Sequence, residues 1–359
     1  MHSLIFEHVC GGGMAGEPIP RHLAEQGGAM LRAAVEDFIS AGHRVTTTRD
    51  VRMDFRIPGA DVIRISADDP CAHMVTDAAR RCDVAMIIAP ECDRVLEGWC
   101  VRLGEAGVKT ISCSPPAVRL CADKRACSEH LRRHGVPVPE QVIMNEHAGI
   151  SSKIESEPSQ AQGSALSGVV VKPNDGAGCA DTFLVHDGGA ALDVRNRGDV
   201  VVERFHRGTP VSASFLAHGD RLIELPAGRQ TIANSAINRH MNRLTYAGGA
   251  IGLPSDLARR ATAMARRALQ SIEGLRGFVG VDMVLGDSAP SAPGVLGDDG
   301  AGDVVVDINP RLTVSYIALC TLCETSLAAA MLDMDAPLAF DGRVVEFDYT
   351  GRVHGGVVT

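Results

Sequence analysis

Between residues 4 and 112, short β-branched runs alternate with stretches of helical periodicity, and few folds satisfy that alternation. Leu4, Ile5 and Phe6 open as a strand. From Glu25 to Ala41, Met30, Leu31, Ala34, Val35, Phe38 and Ile39 share one helix face, and Gly42 is the natural stop. Arg44 to Thr48, Val62 to Ile65, Val84 to Ile88 and Lys109 to Ser112 read as further strands with helices between. Units of this length predict a parallel sheet covered on both faces, ending near Ser114, Pro115 and Pro116.

The remainder is patterned differently. One helix is expected from Ala117 to His134, stopped by Gly135, Val136 and Pro137. Ser151 to Gly168, rich in Ser, Glu, Gln and Gly, reads as a loop insertion. Strands follow at Val169 to Val171, Asp199 to Phe205 and Val211 to Leu216, then an amphipathic helix from Leu257 to Ile272. Gly280 to Leu285 and Asp303 to Ile308 read as an antiparallel pair joined by a surface hairpin, Gly286 to Gly302. No internal repeat is visible. The fold class is α/β with α+β lobes, divided as 1–116, 117–204 and 205–359.

Composition excludes several functions. A net charge of −9 and a pI near 5.8 argue against nucleic-acid partners and anionic membranes, and 4% aromatics leaves little for base stacking. No apolar run is long enough for a membrane span, and the opening Met1 to Glu7 lacks the basic flank of a signal peptide. Eleven scattered cysteines suit reduced thiols and a cytoplasmic protein. Cys320 and Cys323 have CxxC spacing but no further zinc ligands nearby, so they read as helix filler.

Two segments carry chemistry. Lys172 ends the β-branched run Val169 to Val171 and precedes Pro173, Asn174, Asp175, Gly176, Ala177 and Gly178, a small-residue loop whose amides can face an anion. Of 35 basic residues only Lys109, Lys124, Lys153 and Lys172 are lysines, so a retained lysine marks a need for a compact point charge. In the late strands, Asp307 and Asn309 lie two apart on one face, and Asp282 lies in the other strand. Two carboxylates and an amide oxygen are hard ligands suited to Mg²⁺ held jointly with phosphate. Arg311, just past Pro310, offers a planar fork to a phosphate or acyl phosphate. A third segment, Gly11 to Gly16, matches G-x-G-x-x-G after a strand. Pro18 and Pro20 stand where its helix should open.

Ala122-Asp123-Lys124, Val171-Lys172-Pro173 with its loop, Val202 to Gly208, and Asp282 with Asp307-Ile308-Asn309-Pro310-Arg311 together resemble the ATP-grasp superfamily of carboxylate–amine ligases. The resemblance covers roughly residues 115 to 335 and implies an ATP-grasp fold with a Rossmann-like pre-ATP-grasp domain before it. It implies that Lys124, Lys172, Gly176 and Gly178 contact ATP phosphates, and that Lys172 and Arg311 act on the transferred phosphoryl group. The segment Glu203, Arg204, Phe205 and His206 would line adenine, while Asp282, Asp307 and Asn309 would hold two Mg²⁺ (or Mn²⁺). Pro210 stands where many members carry a ribose-binding Glu, and Asp307 where Glu is commoner.

The opening Phe6 to Gly13, with Ala29 to Arg32, is similar to a subgroup near tyramine–glutamate ligase, of methanofuran-type cofactor biosynthesis. That likeness makes Glu7 and the glycine loop part of a substrate wall. Arg229 and Arg239, with Asn238, Asn242 and Tyr246, form a polar stretch between strand and helix that is either a partner for a glutamate-like acid or a solvated loop. The expected partners are thus a small carboxylate and an amine. The sequence leaves the oligomeric state open, a homodimer included. Two other readings stand beside the ligase: an ATP-binding regulatory protein without turnover, and a nicotinamide-dependent oxidoreductase resting on Gly11 to Gly16 alone.

Overall fold

The computed structural model describes residues 1–142, 168–186, 198–287 and 302–354. The loop expected at 151–168 and the hairpin tip at 286–302 fall almost wholly outside them.

The N-terminal sheet is parallel, in the order β3-β2-β1-β4: β1 is His2–Glu7, β2 Arg44–Asp50, β3 Asp61–Ile65 and β4 Val84–Ile88. Three helices, α1 (Arg21–Ser40), α2 (Cys71–Arg80) and α3 (Val95–Glu105), pack against it. Lys109 to Ser112 is not a strand. Only Thr110 bridges Ala85, because the chain turns toward Ser114 as soon as the amide of Ile111 has bonded the Ala85 carbonyl.

The glycine motif after β1 also departs from its fingerprint. Val9–Gly13 forms a single π turn, and α1 opens only at Arg21, after the prolines. Gly12 has φ 102°, and a Cβ there would lie 2.5 Å from the Ile65 side chain. The glycines therefore serve close packing within the sheet edge, and no helix N-terminus is offered to a pyrophosphate.

The helix expected over 117–134 is two helices, α4 (Pro115–Ala122) and α5 (Lys124–Arg133). Asp123 between them is extended (φ −87°, ψ 97°), and its Oδ1 accepts from the Ala126 amide at 2.9 Å. An Asp with a helix just beyond it competes for those amides better as a cap than as an interior residue. The break puts Lys124 at the first position of α5.

An eleven-stranded sheet forms the rest. Its strands are β5 (Gly168–Pro173), β6 (Thr182–His186), β7 (Val200–Arg204), β8 (Thr209–His218), β9 (Arg221–Glu224), β10 (Gly228–Asn238), β11 (Met241–Ile251), β12 (Arg276–Leu285), β13 (Val304–Asn309), β14 (Val345–Asp348) and β15 (Val353–His354). The main path runs β13-β12-β8-β10-β11-β6-β5-β7. Its halves meet narrowly, since β8 and β10 share only the pairs Ser212–Gly228 and Val211–Arg229. Helix α6 (Ser255–Gln270) buries Ala261, Ala265, Ala268 and Leu269, while α7 (Ser315–Leu322) and α8 (Leu327–Leu332) lie against α1. That last seam is fixed by Asp37 of α1, which accepts from Tyr316 Oη, Ser326 Oγ and the Ala328 amide. No described helix is long and apolar enough to cross a membrane.

Candidate active site

Strands β12 and β13 set Asp282 directly opposite Asp307 in an antiparallel register. Period-two alternation carries Asn309 to the same face, where its Nδ2 donates to Asp282 Oδ2 at 3.0 Å. Burial pushes the Asp282 carboxyl up to about 6, and the Asp307 charge adds to that push. Two acids facing each other in a ladder repel unless a cation shares them.

Part of that cation is supplied by the chain. Lys124 Nζ lies 3.1 Å from Asp307 Oδ2 and donates to the Gly176 carbonyl at 2.6 Å. Burial works against its charge, but Asp307 outweighs it and holds the ammonium above its usual range. Lys172 arrives from β5, donating to the Val306 carbonyl of β13 at 3.3 Å and pairing with Glu203 Oε2 at 2.8 Å. Sheet ends remote along the ladder thus face one another across a cleft. The glycine loop is stapled to α5 by Asn174, whose carbonyl accepts from the Lys124 amide and whose Oδ1 accepts from the Arg125 amide.

Beside Lys172 lie the end of β7 and the segment after it. The amides of Arg204 and Phe205 are engaged by the carbonyls of Glu140 and Gly168. Glu203 is buried, and its Oε1 has no hydrogen-bond partner among the described residues; neither has the buried Nε2 of Gln141, bridged to it across the strands. A free acceptor beside a free donor matches the amino group and ring nitrogen of an adenine edge. His206 Nε2 bonds the Gly302 carbonyl instead. Gly178, at φ 63°, has open space around it.

For a divalent ion, the donor set is Asp282, Asp307 and the amide of Asn309. Among the described residues no three His, Cys, Asp or Glu side chains converge as a cage. Hard oxygen donors with an incomplete shell fit Mg²⁺, which keeps water and phosphate among its ligands. The repulsion between the two acids is relieved by such an ion.

Arg311 comes to this cleft already paired. Its Nε and Nη2 meet the carboxylate of Glu91, from the loop after β4, and its side chain is 13% exposed. Glu91 went unnoticed in the sequence, although carboxyl ends of parallel strands are where ligand-facing residues gather in such sheets. Gln230 was missed too: its Nε2 holds Asp282 Oδ1 at 2.8 Å, and no local motif marks it. Tyr246 is nearby, its phenol pushed up by burial and by Asp282.

The expected substrate residues are not brought together. The stretch holding Arg229 and Arg239 is neither an open loop nor a link to a helix; it is the β10–β11 hairpin. Arg229 sits at its base beside Val211, and Arg239 at its tip bonds His240, roughly 30 Å away along the strand. A stretch of alternating polar residues, exposed on one face, suits a two-stranded arm as well as a loop, which hid it. Glu7 ends β1, buried, accepting from the amides of Val9 at 3.1 Å and Cys10 at 2.6 Å. Burial pushes its carboxyl up to about 7 despite those bonds. Beside Glu91, a 360 Å³ cavity is lined by Arg94, Glu97, Arg119, Asp123 and Asp175. All eleven cysteines are free, and Cys320 lies in α7 with Cys323 just beyond it.

Comparison with known proteins agrees with this architecture. Residues 121–315, more than half the chain, match the family model of the ATP-grasp domain, and 43–118 match that of the pre-ATP-grasp 3 domain. Tyramine–L-glutamate ligase of Methanocaldococcus fervens is 21% identical over 333 residues, spanning 92% of each chain. Its counterpart in Methanocaldococcus jannaschii is 19% identical, spanning 92% of this chain and 87% of that one. A solved ATP-grasp superfamily protein from Archaeoglobus fulgidus superposes with a TM-score of 0.65 at 21% identity, covering 96% of this chain and 92% of that one.

Proposed function

The chain belongs to the ATP-grasp family, as a ligase that forms a carbon–nitrogen bond, and we propose that it joins glutamate, or an acid like it, to an amine of the tyramine class. The observation that carries this reading is the meeting of Lys124, Lys172, Asp282 and Asp307 in one cleft, with Glu203 Oε1, beside Lys172, open to accept from adenine. In this reading the lobes 1–116, 117–204 and 205–359 supply respectively a substrate wall, the glycine loop with its lysines, and the acidic strands.

A carboxylate is a poor electrophile, so its oxygen must first become a leaving group. The acid's oxygen attacks the γ-phosphorus of ATP, the bond to ADP breaks, and an acyl phosphate forms. The amine then attacks the acyl carbon, phosphate departs, and the amine's proton is released. Lys124 and Lys172 offset phosphate charge in the first step, and Arg311 meets the moving phosphoryl oxygens. Asp282, Asp307 and Asn309 would hold Mg²⁺, which when bound neutralises phosphate charge as a Lewis acid. The loop 175–181 would cover the acyl phosphate and keep water from it. The lysines of this cleft are held in place by Glu203, Asp307 and backbone carbonyls, so little reorganisation is left for the reaction itself.

One observation favours a second reading, an ATP-binding regulator without turnover: Pro210 lies within β8 opposite Val284 and offers no ribose acceptor. Incubation with ATP, Mg²⁺, glutamate and a panel of amines separates the two. A ligase releases ADP and phosphate only when acid and amine are both present; a regulator shifts its melting temperature with ATP and releases neither.

A further inference from the structure

Arg311 does not enter the cleft freely. Its Nε and Nη2 go to Glu91, with Nη2 to Oε1 at 3.2 Å, and Nη1 donates to the Leu312 carbonyl at 3.2 Å. A guanidinium has five N–H donors, so these three bonds leave one on Nη1 and one on Nη2. Both carboxylate oxygens of Glu91 are used, and that acid comes from the other sheet.

The turn that delivers Glu91 is unusual. Asp93 and Arg94 are successive non-glycine residues in the left-handed region, at φ 53° and 57°. Such a conformation persists only where surroundings hold it. Here Arg94 Nε bonds Glu97 at 2.9 Å, and Arg119 bonds the same carboxylate. The turn's other contact is the Asp93 amide, which donates to Asp175 of the glycine loop at 2.8 Å. One strained turn of the N-terminal lobe therefore touches both the phosphate-facing arginine and the loop over it.

We propose that Glu91 is a positioning residue for Arg311, aiming its two spare N–H groups at the transferred phosphoryl group. Without Glu91 the guanidinium loses both of the side-chain bonds that fix its plane and leaves its station. This rests on the reading above, in which Arg311 meets that phosphoryl group.

The test uses the full chain and needs no turnover. Binding of inorganic phosphate in the presence of saturating ADP and Mg²⁺ is measured by equilibrium dialysis, with ADP affinity alone measured in parallel. Arg311→Ala is expected to weaken phosphate by about tenfold or more, and Glu91→Gln to come within about threefold of that loss, with ADP affinity unchanged in both. Glu91→Asp, which keeps the charge but shortens the reach, should recover part of the loss. If Arg311→Ala weakens phosphate and Glu91→Gln does not, the positioning role is wrong. If Glu91→Gln weakens ADP and phosphate equally, Glu91 is merely structural and the proposal falls. If Arg311→Ala binds phosphate as the parent does, Arg311 itself is misassigned, and the proposal falls with that reading. Should Glu91→Gln not fold, Glu91→Asp decides: a phosphate loss between the parent and Arg311→Ala with ADP affinity unchanged upholds the role, and parent-like phosphate binding or an equal loss of ADP overturns it.

Discussion

Lys124 and Asp307 lie 3.1 Å apart, Nζ to Oδ2, one at the first turn of α5 and the other near the end of β13. The pair ties the helix start to the acidic strands. Since the same ammonium donates to Gly176, the glycine loop is held to both. The site's charges are thus held in defined pairs, and each can be tested separately.

Lys172 and Glu203 form the second fixed pair, with side chains 7% and 3% exposed. Lys172→Met strands a buried carboxylate, so the variant should lose on the order of 3 kcal/mol of stability and at least about 100-fold in ADP release. The double variant Lys172→Met/Glu203→Leu should regain most of the stability and none of the turnover. Urea melts and coupled ADP assays read the two effects. A Lys172→Met protein with the parent's turnover would remove this lysine from the phosphates.

Gln230 steadies one oxygen of Asp282 while Asn309 holds the other. Gln230→Ala should raise the Mg²⁺ concentration needed for half-maximal turnover by about tenfold, the usual scale for loss of a ligand's supporting hydrogen bond. A magnesium titration of ADP release checks it, and an unmoved midpoint would place the ion elsewhere.

Asp123 caps α5 and sets where Lys124 begins. Asp123→Ala should cost about 1 kcal/mol of stability and raise KM for ATP, while Asp123→Ser, which still caps, should restore most of both. Equal behaviour of the two variants would count against a capping role.

Glu7 gives the pH signature. Its folded carboxyl is raised from 4.5 to about 7, so between those values the folded protein binds the proton more tightly than the unfolded chain. Stability should therefore fall as pH rises through this window, by up to roughly 3 kcal/mol in all. Glu7→Gln removes that slope: its stability relative to the parent should improve from pH 5 to pH 8. Parallel slopes in denaturant unfolding would show that Glu7 is not the group titrating.

Much of this was legible because it is written in short range. The alternation before residue 112 reports a parallel sheet, and the spacing of Asp307 and Asn309 reports a shared strand face. Partners from distant segments were not legible. Glu91 reaches Arg311 through tertiary packing, and nothing in residues 88–94 announces an ion pair with the far lobe. The broken helix at Asp123 hid behind continuous periodicity, since a capping acid and an interior acid look alike in sequence. Arg229 and Arg239 show the reverse, lying at opposite ends of the β10–β11 hairpin: nearness in the chain is not nearness in space along an extended strand.

The pinch between β8 and β10 has a mechanical consequence. A twisted ribbon narrowed to the pairs Ser212–Gly228 and Val211–Arg229 is most compliant in torsion there, and stiff on either side where ladders run long. Rotation about that flexure would displace the walls bearing Lys172 and Asp307 in proportion to their distance from it. Arg229 stands at the fulcrum.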